Sequence, residues 1–121
     1  MPLATSDRCT SRLLLAQTYA ETLTAPCFAW AHTKLADWSF GSGTALLAFV
    51  VLGGVIPKVR LALGDLPAVW APPDVLAQAA ARMRAPYTAA GLRRLALAQA
   101  VQAVVLVACA AWVARHLLAQ R

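Results

Sequence analysis

The sequence predicts an all-α membrane protein built around an antiparallel hairpin of two transmembrane helices. Of its 121 residues, 60% are hydrophobic, and two stretches of twenty residues, 38–57 and 95–114, contain no Asp, Glu, Lys, Arg or His. A helix rises about 1.5 Å per residue, so roughly twenty apolar residues cross the roughly 30 Å of hydrocarbon in a bilayer. Because backbone amides in lipid must be hydrogen-bonded within their own segment, both stretches are predicted to be helical.

The rest of the chain divides into three short pieces: a lead at 1–37, a connector at 58–93 and a tail at 115–121. None of them is long enough to bury an independent core of useful size. A self-contained soluble enzyme domain is therefore excluded. Two helices also cannot enclose a substrate pathway, so the chain is not expected to be a transporter by itself.

The lead is predicted to hold an amphipathic helix that lies at the membrane interface. Apolar side chains recur there at roughly helical spacing, at Leu15, Tyr19, Leu23 and Trp30, and Pro26 is expected to break the helix. The first twenty residues, with two Arg, several Ser and Thr and one acidic residue, have the composition of a mitochondrial transit segment.

The first transmembrane helix is predicted at 38–57. Two glycines and a proline near its end offer two alternatives: a kink at Gly53 and Gly54, or termination near Pro57. The sequence GDLPAVWAPPD then supplies a run of turn signals at the start of the connector.

The connector is predicted to contain a short helix at 74–84, with Asp74 as its N-cap and its arginines in the last turn. Thr88 is expected to cap a long helix at 88–120, which contains the second transmembrane stretch.

Positive charge is concentrated in the segment between the two stretches, residues 58–94, which holds six of the eleven basic residues. The positive-inside rule therefore predicts that the connector faces the cytoplasm or a mitochondrial matrix and that both termini lie on the opposite side. Nucleic-acid binding competes as an explanation of the net charge of +6, but the basic residues cluster at the ends of the spans rather than along one face. No nucleic-acid partner is predicted.

Four basic residues at the predicted membrane boundaries are candidates for contact with phospholipid headgroups such as cardiolipin. They are Lys58, Arg60, Arg93 and Arg94. Paired basic side chains at such a boundary suit anionic headgroups. A role in fixing topology alone explains them equally well.

Small residues follow each other at spacings of three and four along both predicted spans. Small side chains allow helix backbones to approach closely in lipid, where packing drives association. The candidate interface residues, with one flanking amide, are Gly41, Ala45, Ala48, Ala96, Gln99, Ala100, Ala103 and Ala110. The general abundance of alanine is the alternative explanation.

Gln102 points away from this line of small residues, at about 100° of rotation per residue. An amide buried in hydrocarbon needs a hydrogen-bond partner. Gln102 therefore predicts a second protein surface beyond the hairpin, on a partner subunit. The alternative is that it lies close enough to the boundary to reach headgroups.

The sequence offers no catalytic, cofactor or metal site. His32 and His116 lie outside the uncharged stretches, and neither stretch contains a carboxylate. Cys9, Cys27 and Cys109 lack metal-ligand spacing, although an oxidising compartment could pair the first two. A non-catalytic protein without a cofactor is predicted.

The most distinctive local sequence is RMRAPYTAAGLRR at 82–94, which leads into an apolar helix. It resembles the small two-helix accessory subunit of mitochondrial NADH:ubiquinone oxidoreductase, respiratory complex I. In that family an Arg-rich stretch leads to Pro, then Ala-Gly-Leu, a basic residue and Arg. The matching residues are Pro86, Ala90, Gly91, Leu92, Arg93 and Arg94. The connector here is longer than the family's, and the family's hydrophilic tail is missing.

The resemblance implies a non-catalytic accessory subunit that stabilises and assembles the membrane arm of a respiratory complex in the mitochondrial inner membrane. Its partners would be other membrane subunits and phospholipid, with the connector in the matrix and both termini in the intermembrane space. Two alternatives remain open. One is a supernumerary subunit of cytochrome oxidase or ATP synthase, and the other is a bacterial two-span membrane anchor or regulator.

Overall fold

In the computed structural model of the protein, residues 11–34, 39–82 and 88–120 are described, and every regular element among them is helical. The elements are α1 (Ser11–Lys34), α2 (Phe40–Val50), a π-helical turn (Val51–Val55), α3 (Ile56–Asp65), a 3₁₀ turn (Leu66–Val69), α4 (Pro73–Ala81) and α5 (Ala89–Gln120). For this part of the chain, the predicted all-helical class is confirmed.

Two of the helical segments are long and apolar enough to span a membrane. They are Phe40–Val69, with 30 residues, and α5, with 32 residues, and each contains an 18-residue window with a mean hydropathy of 2.0. Only 11% of the first window and 22% of the second are buried inside the protein. Both segments therefore present most of their apolar surface outward, as expected of helices in lipid rather than in a soluble core.

The first segment continues beyond the end predicted for it at residue 57. The backbone N–H of Ile56 donates to the carbonyl of Val51, five residues earlier, and Pro57 follows in the first turn of α3. Proline has no N–H to donate and its ring crowds the preceding turn. Here it comes immediately after a wider π turn, which also contains Gly53 and Gly54, so the helix proceeds to Asp65.

The short connector helix begins one residue earlier than predicted. Pro73 is the first residue of α4, and Asp74 lies in the first turn instead of serving as the N-cap. Proline suits the first helical position because its missing N–H would have no helical partner there. The helix ends at Ala81, and the remainder of its predicted range, 83–84, lies outside the described residues.

Thr88 caps α5, as predicted. Its Oγ1 accepts a hydrogen bond from the backbone N–H of Gly91 at 3.0 Å, and its carbonyl accepts one from Leu92 at 3.0 Å. The side chain thus satisfies one of the N–H groups that a helix leaves unpaired at its start.

The prediction that Pro26 breaks α1 is wrong, because the proline lies inside the continuous helix Ser11–Lys34. The helix is anchored on both sides of Pro26 by buried residues, Thr18 at 3% and Ala29 at 5% exposure. The Thr18 hydroxyl donates to the carbonyl of Leu14, so this buried polar group is satisfied within the helix. Packing on both sides holds the helix together across the proline.

Helix α5 contacts every other helix and forms the centre of the arrangement. Leu14 near the start of α1 packs with the cluster that contains Leu92 and Leu95, whereas Ala29 packs with Val113 and Leu117 near the end of α5. Helix α1 therefore runs alongside α5 in the same direction, which the prediction of a surface helix did not include. Its first residue lies at the connector end of α5.

The segment Phe40–Val69 meets α5 in the opposite order. Leu47 packs with Val113 at the far end of α5, and Ala68 packs with Leu92 and Leu95 at its connector end. Helix α5 is thus flanked by α1 and by this segment. A space remains between the two flanking helices.

Candidate functional site

Three polar side chains from three helices meet between α1, α3 and α5. The Nζ of Lys58 lies 2.9 Å from Oε2 of Glu21, and Gln102 donates from Nε2 to the same oxygen at 2.5 Å. Gln17 donates to the other carboxylate oxygen at 2.7 Å. We call Glu21, Lys58 and Gln102 the polar cluster.

The polar cluster is partly buried. Gln102 is 2% exposed, whereas the side chains of Lys58 and Glu21 are 28% and 32% exposed. A buried amide without a partner would cost free energy, and a charge-assisted hydrogen bond to Glu21 avoids that cost. The carboxylate therefore pairs with the Lys58 ammonium and accepts a hydrogen bond from the Gln102 amide. In this way it joins α1 to both other long segments.

The polar cluster places charged side chains beside a stretch of sequence that contains no charged residue. Gln102 belongs to the uncharged stretch 95–114, while Lys58 is the first charged residue after the stretch 38–57. Packing places these two positions side by side, so the two stretches are staggered against each other along the bundle. Glu21 supplies the carboxylate that neither stretch contains.

A cavity of about 930 Å³ extends from the polar cluster between α1, the Phe40–Val69 segment and α5. Glu21 and Lys58 contribute to its wall, and most of the remaining wall is apolar. Representative apolar lining residues are Phe28, Ala29, Leu47, Val50, Gly54 and Val113. The cavity is therefore an apolar space with an ion pair in its wall.

The basic residues predicted to contact headgroups divide into two groups. Lys58 pairs with Glu21, and Arg93 donates to the carbonyl of Ala71 at 2.9 Å, so both are engaged within the chain. Arg60 and Arg94 are exposed. The exposed pair is placed to meet headgroups at the outer surface of the helix bundle.

The predicted small-residue interface is also divided. On α5, Ala96 and Gln99 are buried, and Ala100, Ala103 and Ala110 are partly buried. The predicted residues of the first segment, Gly41, Ala45 and Ala48, are all exposed.

The first segment instead packs through a face displaced by two residues. Gly43 and Val55 are buried, and Leu47 joins the apolar cluster around Val113. This face still includes a buried glycine, and it adds two larger apolar side chains whose burial is favourable.

Gln102 is predicted to face a partner subunit. In the structure its side chain instead contacts α1 of the same chain. Neighbouring Gln99 is 2% exposed, and its amide has no hydrogen-bond partner among the described residues. The amide of Gln102 is thus hydrogen-bonded and that of Gln99 is not, although both residues belong to the same predicted span.

Glu21 is the residue of this site that the sequence argument did not single out. It is the only charged residue between Arg12 and His32. An isolated acid in such a stretch, together with Lys58 at the end of an uncharged span, is the signal that could have indicated a pair. Its helix had been assigned to the membrane surface, where a single acid needs no partner.

No protein-family model matches this chain, and no match is found among curated proteins or solved structures. Within residues 11–34, 39–82 and 88–120, no group of three His, Cys, Asp or Glu residues is arranged to hold a metal ion. The membrane-length helices, the polar cluster and the cavity are therefore the features that bear on function.

Proposed function

We propose that the protein is a non-catalytic accessory subunit of a respiratory complex in the mitochondrial inner membrane, with complex I as the specific candidate. Its role is to stabilise and assemble the membrane arm of that complex. The observation that carries the proposal is the outward-facing apolar surface of two membrane-length helices.

Large apolar side chains are exposed along both long segments. Phe49 is 75% exposed and Leu52 is 68% exposed on the first segment, and Val104 is 70% exposed on α5. Contiguous apolar surface of this kind favours contact with lipid or with another protein. A hairpin that spans the bilayer explains it, with neighbouring subunits covering part of the surface.

The exposed small residues of α2 suit contact with a neighbouring helix. Gly41, Ala45 and Ala48 are not used by this chain for its own packing. Small side chains permit close approach of helices in lipid. We therefore keep these residues as the proposed contact with another membrane subunit, on a face that the chain's own hairpin leaves open.

The resemblance at 82–94 supports complex I among the respiratory complexes. Of its matching residues, Ala90, Gly91 and Leu92 form the first turns of α5, and Arg94 is exposed beside them. Pro86 lies outside the described residues. Arg60 and Arg94 are the side chains proposed to meet anionic headgroups such as cardiolipin.

Native electrophoresis of the tagged chain, after extraction from mitochondria in a mild detergent, tests this proposal. We expect co-migration with the membrane-arm subunits of complex I. Co-migration with cytochrome oxidase or ATP synthase would support the alternative complexes instead. A lone small species would overturn the role as an accessory subunit and leave a two-span anchor or regulator.

A pair of matched variants tests the proposed contact face. Ala45→Leu enlarges an exposed residue on α2, and Ala111→Leu makes the same change on the exposed side of α5. We expect Ala45→Leu to reduce the fraction of chain assembled into the complex and Ala111→Leu to leave it unchanged. Equal assembly of both variants would remove α2 as the contact.

The proposed topology has the connector in the matrix and the C-terminus in the intermembrane space. Because α1 runs in the same direction as α5, we place the start of α1 on the connector side, which revises the expectation for the N-terminal end. In a chain without its own cysteines, Gln78→Cys should react with an impermeant reagent only in permeabilised mitoplasts. Ala119→Cys should react in intact mitoplasts, and the opposite pattern would reverse the orientation.

A further inference from the structure

We propose that the cavity binds one phospholipid with a zwitterionic headgroup. One acyl chain occupies the cavity, and the headgroup meets the ion pair of Glu21 and Lys58. The inference rests on the membrane location proposed above, and it assigns a ligand to a site that is separate from Arg60 and Arg94.

The size of the cavity fits a lipid chain. Its volume of about 930 Å³ lies within the range of roughly 300–1,000 Å³ that is typical of ligand pockets. Its wall extends along the first segment from Leu46 to Lys58, which corresponds to about 18 Å of helix.

The position of the cavity matches the arrangement of a lipid in a bilayer. Lys58 is the first charged residue after the uncharged stretch 38–57, so its end of the cavity lies toward the membrane surface. From there the apolar wall follows the span inward past Gly54 and Val50. A headgroup at Lys58 therefore directs an acyl chain along the cavity into the hydrocarbon.

The hydrogen-bonding capacity of the ion pair limits how a headgroup can bind. An ammonium carries three N–H donors, and Glu21 offers only two oxygens, so Lys58 retains at least one donor for a phosphate oxygen. A carboxylate has about four acceptor positions, and Glu21 uses all four, one each for Gln17 and Gln102 and two for Lys58. A headgroup therefore binds through its phosphate to Lys58.

Charge balance selects the headgroup. Glu21 and Lys58 neutralise each other, so an anionic lipid would add uncompensated negative charge beside the carboxylate. That repulsion is stronger in a site of low dielectric constant than in water. A zwitterionic phospholipid supplies a phosphate for Lys58 and carries its own cation, so the site stays neutral.

The decisive variants are at two adjacent glycines. Gly54 lines the cavity and Gly53 does not, and a Cβ added at either position meets no atom within 4 Å. Gly54→Leu should fill the cavity, whereas Gly53→Leu adds the same side chain to the same π turn outside it. Both variants raise helix propensity equally.

Native mass spectrometry of the purified full chain in mild detergent, with added phosphatidylethanolamine, measures occupancy. We expect one bound lipid per chain in the wild type and in Gly53→Leu, and an occupancy at least tenfold lower in Gly54→Leu. Equal binding by the two variants, or no binding by the wild type, would overturn the inference.

The headgroup is tested with lipids of identical acyl chains. The wild type should bind phosphatidylethanolamine and phosphatidylcholine with similar affinity, and both about tenfold more tightly than phosphatidylglycerol, which is anionic. Lys58→Gln should lower the affinity for all three lipids. Tightest binding of phosphatidylglycerol would overturn the zwitterionic assignment.

Carbonate extraction separates failure of this inference from failure of the proposed function. A chain that stays in the membrane pellet but binds lipid equally in both glycine variants contradicts the lipid site alone. A chain released by carbonate contradicts the membrane location, on which both proposals depend.

Discussion

The two halves of the helix bundle differ in how completely they are closed. At the connector end, α4 and the 3₁₀ turn cover α5, and Leu76 and Ala79 are fully buried at 0% exposure. At the other end, a smaller cluster of Ala29, Val113 and Leu117 packs beside the cavity. We call these regions the connector half and the open half.

The difference follows from the number of layers in each half. In the connector half, buried residues from the 3₁₀ turn, α4 and α5 form one apolar cluster, as a small folded domain does. In the open half, α1 and α2 lie on α5 but leave a space between them. The connector half is therefore expected to provide stability, and the open half provides space for a ligand.

The polar cluster lies where the two halves meet. Glu21 connects α1 to Lys58 and Gln102 at the end of the cavity nearer the connector half. The ion pair thus bridges the gap between α1 and α3 at the level of Glu21. Farther from the connector half, the gap between the flanking helices stays open. Substitutions in each region should separate these roles.

Leu76→Ala should have the largest effect on stability. Removing a fully buried leucine side chain from the connector half should lower the free energy of unfolding by about 2–5 kcal/mol. Leu52→Ala, at an exposed position of the first long segment, serves as the matched control and should change it by no more than about 0.5 kcal/mol. Denaturant titration in detergent, followed by circular dichroism, measures both. Similar losses for the two variants would contradict the comparison of the halves.

Glu21→Ala should have the next largest effect. The substitution removes charge-assisted hydrogen bonds from Lys58 and Gln102, which are worth about 1.5–3 kcal/mol to folding in protected sites. We expect the lower end of that range because the ion pair is about one third exposed.

A double-mutant cycle provides the control for the ion pair. Glu21→Lys with Lys58→Glu restores opposite charges at the two positions, so the double variant should be more stable than the sum of the single losses implies. The same denaturant titration gives the coupling free energy. Strict additivity would show that the pair contributes nothing to holding α1 in place.

Thr88→Ala should cost about 1 kcal/mol of unfolding free energy, because it removes the side-chain acceptor for the Gly91 amide. Thr88→Ser keeps that acceptor and should stay close to the wild type. Hydrogen exchange of the Gly91 amide supplies an independent measure, since the uncapped amide should exchange faster. Unchanged exchange in Thr88→Ala would contradict the capping role.

Arg94→Gln should have the smallest effect on folding. Arg94 is exposed, so its loss should change the unfolding free energy by no more than about 0.5 kcal/mol. It should weaken binding to cardiolipin-containing membranes by about 1 kcal/mol.

Arg93→Gln is the matched comparison for Arg94. It should lower folding stability more than Arg94→Gln does, since it removes the hydrogen bond to the carbonyl of Ala71. Lipid co-purification and denaturant titration together separate the two arginines. Equal behaviour of both variants in both measurements would contradict the difference in their roles.

The sequence alone determined the features that depend on local pattern. The two uncharged stretches predicted two helices of membrane length, and Thr88 predicted the start of the second. These signals are local, because a side chain at a helix start acts on amides two or three residues away. Local rules also explain two errors: Pro26 and Pro57 are helix breakers in isolation, but packing and a π turn accommodate them.

Only the tertiary structure decided how the helices combine. Glu21 lies 37 residues from Lys58 and 81 from Gln102 in sequence, and no local periodicity reports that the three side chains meet. The choice of Gly43 and Leu47 for packing, rather than Gly41 and Ala45 two positions earlier, likewise depends on the shape of α5. The cavity exists because α1 and α2 pack on α5 with a gap between them, and such a gap is a property of three surfaces together.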